Sequence, residues 1–106
     1  MGFFDFLIQP NINQAIKEYE SSSDGFLLDV RTVEEYQEGH IPRSQNIPLD
    51  SLDKIKYIVK NKNAPIFAYC HSGARSSQAV NLLKRMGYSN VTNMGGIAAY
   101  SGKVER

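Results

Sequence analysis

Cysteine occurs once in the 106 residues, at Cys70, and that scarcity removes two kinds of chemistry together. No internal disulfide can form, and no metal site built on several cysteines can exist. Net charge is also nearly missing: formal charge is +1, too little to recommend nucleic acid or an acidic membrane surface as the main partner. Long apolar runs are absent. Met1–Ile8 is apolar but is broken by Asp5 and is too short to cross a bilayer. It lacks the basic start and small-residue cleavage site of a signal peptide. Phe6 stands where a myristoylation signal after Gly2 wants Ser or Thr. A soluble, cytoplasmic protein is expected, since a lone thiol suits a reducing compartment. Phe3, Phe4 and Phe6 are expected to cover the core or enter a first edge strand, with a docking surface as the alternative. Repeats, low-complexity tracts and a second domain are lacking too, so 1–106 reads as a single domain with 1–10 as a lead-in.

What is present is an alternation of strand-like and helix-like segments. Asn11 caps a short helix that carries Ile12, Ala15, Ile16 and Tyr19 on one face. After the loop Glu20–Gly25, the unbroken apolar run Phe26–Val30 predicts a strand buried on both faces. Thr32 and Glu35 form a capping box for a helix that ends at Gly39. A short strand is expected at Asn46-Ile47, then a helix capped by Asp50 or Ser51 that buries Leu52, Ile55, Ile58 and Val59. Strand Ile66–Tyr69 precedes a helix expected to bury Ala79, Val80, Leu82, Leu83 and Met86 and to close at Gly87. Asn90–Asn93 reads as a last strand, Gly95-Gly96 as a turn and Ile97–Tyr100 as one helical turn. Such alternation predicts an α/β fold with a parallel sheet and helices on both faces.

The lone cysteine falls at the junction between a strand and the helix after it, in Tyr69-Cys70-His71-Ser72-Gly73-Ala74-Arg75-Ser76-Ser77. Helix N-termini leave amides unpaired and favour an anion in front of them. A thiol there ionises more readily than a free one, and Arg75 and His71 push the same way. Cys70 therefore reads as a nucleophile. Gly73 is expected to let the loop turn its N–H groups inward. Ser72, Ser76 and Ser77 read as caps, with Ser76 also a candidate donor to the Cys70 sulfur. Arg75 is expected to order the loop or bind an anionic donor. His71 reads as an electrostatic or specificity residue and His40 as one that holds a turn. No cofactor or metal is expected.

Four segments together resemble the single-domain rhodaneses, from about Ile12 to Tyr100. They are Leu28-Asp29-Val30-Arg31 with Glu34-Glu35-Tyr36; Gly39-His40-Ile41-Pro42 with Asn46-Ile47-Pro48; the Cys70 stretch; and Asn93-Met94-Gly95-Gly96-Ile97. The resemblance implies a three-layer fold with a five-stranded parallel sheet. It implies a Cys70 persulfide that takes sulfane sulfur from a donor such as thiosulfate and gives it to cyanide or a thiol. His71, Ser72, Gly73, Ala74, Arg75 and Ser76 would line the substrate site, and Asp29 with Arg31 would pair and brace the loop. Cys70 to Arg75 spans six residues, one fewer than in the related phosphatases, whose wider loop surrounds a phosphate.

Two positions depart from the family. Arg43-Ser44 replaces the common Gly-Ala after His-Ile-Pro, which removes a glycine and adds a cation. Tyr100 stands where tryptophan is frequent. Besides small-molecule donors and acceptors, the resemblance leaves open a relay of persulfide between protein partners, and more distantly a phosphatase or arsenate-reductase-like activity.

Overall fold

The computed structural model describes residues 10–106. The expectations for Phe3, Phe4 and Phe6 lie outside that range. Asn11 caps α1 (Ile12–Ser21), its side chain accepting from the amides of Asn13 and Gln14. Strand β1 (Phe26–Asp29) follows, then α2 (Val33–Glu38), where the Thr32–Glu35 capping box forms in full. Short strand β2 (Gln45–Asn46) leads to a 3₁₀ segment, Leu49–Tyr57. Strand β3 (Ile66–Cys70) enters α3 (Ala74–Arg85), and β4 (Val91–Gly96) ends in a 3₁₀ turn, Ile97–Ala99. The C-terminal tail returns to pair Glu105 with His40.

Among the described residues the four strands pair in parallel, in the order β2-β1-β3-β4. The chain leaves β1 toward one edge and resumes at β3 on β1's other side. Strand order thus reverses between β1 and β3, the position where open α/β sheets bind ligands at their carboxyl ends. Side chains alternate across the sheet. Leu28, Ile66, Ala68 and Cys70 face the 3₁₀ segment and α3, whereas Leu27, Phe67 and Tyr69 face α1. Both faces are covered, which is why β3 is buried at all five positions.

The structure corrects several expectations. The described residues form four strands, not five; the one stretch that suggested a first edge strand precedes residue 10. The segment after Pro48 is 3₁₀ and kinks at Ser51 (φ −118°, ψ 19°), which stands just before Leu52 as a cap would, but no cap hydrogen bond from the Asp50 or Ser51 side chain forms. Tighter winding shifts its apolar stripe, so Leu52 and Ile55 are buried but Ile58 is half exposed. On α3, Leu83 is fully buried while Leu82 lies on the solvent side and Met86 is only partly covered. Gly95 and Gly96 belong to β4, where the ladder slips by a residue opposite Ala68 and Tyr69. Such bulges bend a strand and commonly sit beside active sites.

Candidate active site

Cys70 is the last residue of β3, and its side chain falls on the α3 face of the sheet. The loop after it curls back over the sulfur. The Gly73 amide donates to Cys70 Sγ at 3.0 Å and the Ser76 amide at 3.4 Å. Gly73 accomplishes this with φ +105°, a left-handed conformation that an L side chain resists. Burial raises the thiol's pKa, but hydrogen bonds from the Ser76, Gly73 and Ser72 amides, joined by the Ser76 hydroxyl whenever its proton turns from Asn93 to the sulfur, outweigh it. The pKa therefore lies below the ordinary thiol value.

Ser76 is fully buried, with its hydroxyl 3.5 Å from Cys70 Sγ, 2.7 Å from Asn93 Oδ1 and 3.1 Å from the Gly73 carbonyl. One hydroxyl proton serves one strong acceptor at a time. The shortest contact directs it to Asn93, whose Oδ1 also accepts from the Gly95 amide. Asn93 thereby ties β4 to the cradle, a role its sequence context did not reveal. Ala98 N–H donates to the His71 carbonyl at 3.1 Å, a second tie to the loop. Gly96 fits closely below: a Cβ there would collide with the His71 carbonyl oxygen and lie 2.6 Å from Ser72 Cα. His71 and Ser72 are exposed, and Ala74 opens α3 and is also exposed; Ser77 is not a cap, since its amide makes the first helical bond of α3, to the Gly73 carbonyl, and no side chain caps that helix.

Asp29 and Arg31 lie at the end of β1 beside this loop. The guanidinium of Arg31 donates from Nε and Nη2 to the buried Asp29 carboxylate, with the closest contact 2.8 Å, and reaches the Gly39 carbonyl at 2.7 Å. Its charge is therefore spent inside the protein. Arg75 is spent as well. Its two Nη atoms hold Glu35 Oε1 at 2.6 Å and Oε2 at 2.9 Å, the bidentate geometry that guanidinium and carboxylate favour. The Arg75 hydrogen bonds hold the Glu35 carboxyl down to about 2, against partial burial, with the Thr32 amide helping. Arg43 takes φ +74° without a glycine, stacks its guanidinium over Tyr19 and lies 3.6 Å from Glu20. His40 stacks on Tyr36 and bonds its carbonyl, holding a turn.

A thiolate cradled by amides at the end of a parallel strand, under a six-residue loop, is the feature by which the chain meets a known family. The family model for the Rhodanese-like domain matches residues 12–103. The chain belongs to that family. Thiosulfate sulfurtransferase PspE of Escherichia coli is 41% identical to this rhodanese-like domain over 71 residues, covering 66% of this chain and 68% of its own. A Bacillus subtilis protein described as a candidate sulfur carrier, YrkF, is 37% identical over 94 residues, or 87% of this chain; the domain spans 50% of that relative's length. Among solved structures, the rhodanese-like domain of Anabaena Alr3790 superposes with a TM-score of 0.79 at 28% identity, covering 92% of this chain and 80% of that one. An Escherichia coli rhodanese with anions gives 0.73 at 35% identity, covering 77% and 98%. No described helix is long and apolar enough to cross a membrane, and the described residues contain no cluster of His, Cys, Asp and Glu suited to a metal.

Proposed function

We propose that the domain is a sulfurtransferase that carries sulfane sulfur on Cys70, from a donor such as thiosulfate to a thiophilic acceptor such as cyanide or a thiol. The observation that carries this reading is the pair of backbone amides, Gly73 and Ser76, aimed at a sulfur whose pKa is lowered. In the loading step, the Cys70 thiolate attacks the outer sulfur of thiosulfate. A new S–S bond forms, the donor's S–S bond breaks, and sulfite leaves with the bonding pair. In the discharge step, the acceptor attacks the terminal sulfur of the persulfide, and Cys70 leaves as the thiolate it began as. Negative charge sits on sulfur in every state, so fixed donors stabilise it with little reorganisation. Attack requires the thiolate, and a lowered pKa puts more of the cysteine in that form.

A relay of persulfide between proteins is the second reading, and the pairing of Arg31 with Asp29 and of Arg75 with Glu35 favours it. Neither arginine is left over for a small dianion. Thiocyanate release from thiosulfate and cyanide tests the first reading: turnover in the wild type and none with Cys70→Ser is expected. Equal turnover in the two proteins would overturn it. Persulfide formation from an alkyl persulfide, with slow thiosulfate turnover, would select the relay.

A further inference from the structure

Three hollows lie near the loop. One of them, of ≈ 470 Å³, is bounded by Arg31, Glu35, Glu38, His71 and Ile97. Its charged walls are one arginine and two glutamates, and the arginine is already held by Asp29. Arg75, in the first turn of α3, lines a second hollow with Thr32, Val33 and Pro48, and it lies close enough to Cys70 that a thiolate there adds to the rise in its pKa. The largest contributor to that rise is the hydrogen bond to Glu35. Glu35 thus lines this hollow while its carboxylate occupies both Nη atoms of Arg75.

We propose that Glu35 sets the charge preference of the sulfur donor by keeping Arg75 occupied. This rests on the sulfurtransferase reading and says which donors that site takes. With both Nη atoms on the carboxylate, Arg75 orders the loop but offers no charge to an incoming dianion. Thiosulfate, with two negative charges, meets a hollow whose exposed charge is acidic. An alkyl persulfide without carboxylate or sulfonate carries one negative charge where thiosulfate carries two, and meets a smaller penalty. Glu35 also holds the Thr32 amide at 2.9 Å, so its position is fixed from the α2 side as well as from α3.

Glu35→Gln separates these roles, because glutamine at this helix position still completes a capping box. Loading of Cys70 is followed with thiosulfate and with the persulfide of 2-mercaptoethanol, in Glu35→Gln and in Glu35→Gln/Arg75→Gln. Released from its partner, Arg75 gains a charge-assisted bond to the donor, and the thiosulfate KM is expected to fall about tenfold. kcat is expected to change much less, and the KM for the singly charged persulfide to fall by no more than about threefold. The gain should shrink with added salt and disappear in the double variant. An unchanged or higher thiosulfate KM in Glu35→Gln, an equal fall for both donors, or a gain that survives loss of Arg75 would overturn the proposal. Failure of every protein, wild type included, to load sulfur from either donor would instead overturn the sulfurtransferase reading beneath it.

Discussion

At the scale of single residues, the account turns on how Cys70 Sγ is held. Gly73 contributes the shortest amide contact, and it does so only because it can adopt φ +105°. Gly73→Ala has room for its methyl, the nearest atom being Gly95 Cα at 3.5 Å, so the expected penalty is conformational. It should cost about 1–2 kcal/mol of stability, or turn the amide away from sulfur. In the second event the thiolate loses a donor and its pKa rises. Titration by ultraviolet thiolate absorbance is expected to place the wild-type midpoint below that of an ordinary thiol and that of Gly73→Ala above the wild-type value. A coincident pair of curves would refute the amide account. The position of Cys70 and the turn at Gly73 were legible because they are local: a strand, a cysteine, a short loop and a helix follow one another in the chain. Asn93 was not, because an asparagine on a strand gains its role only through contact with Ser76, 17 residues earlier.

At the scale of elements, Glu35 joins two helices that sequence order keeps apart. Its capping box with Thr32 was readable from three-residue spacing, whereas its bond to Arg75, 40 residues on, was not. Sequence reading accordingly assigned Arg75 to the loop or the donor and missed what holds it. The link has a pH signature. The folded-state pKa of Glu35 is about 2, below its value in an unfolded chain, so the stabilisation is complete above roughly pH 5 and is lost as pH falls toward 2. Allowing for solvent screening of this partly exposed pair, it contributes about 1–2 kcal/mol. Chemical denaturation of wild type and Glu35→Gln is expected to differ by that amount at pH 7 and to converge near pH 2–3. A gap that stays constant with pH would contradict the assignment. The 3₁₀ segment shows a different limit: apolar spacing signalled a helix, but the phase of its buried stripe depends on winding that the spacing alone did not fix.

At the scale of the whole molecule, parallel alternation was legible from apolar runs bounded by caps. The strand count was not, because the fifth strand came from resemblance and the described residues supply four. The two core layers meet the site through Tyr69 and Cys70, adjacent residues that face opposite sides of the sheet. Tyr69 is fully buried; its hydroxyl accepts from the Ile41 amide at 3.1 Å and lies 3.0 Å from Ser44 Oγ, anchoring the His40–Ser44 turn. Tyr69→Phe leaves that buried amide unpaired and should cost about 1–3 kcal/mol by denaturant melting. No measurable loss would mean that the turn is held elsewhere.

The central claim is that Cys70 carries sulfur, and intact mass tests it most directly. After incubation with a sulfane donor, thiosulfate or an alkyl persulfide, the wild type should gain about 32 Da, the covalent intermediate of a two-step transfer. Cyanide should remove the gain as thiocyanate, and Cys70→Ala should never acquire it. A wild type that gains no mass from either donor, or a Cys70→Ala variant that gains the same mass, would contradict the account.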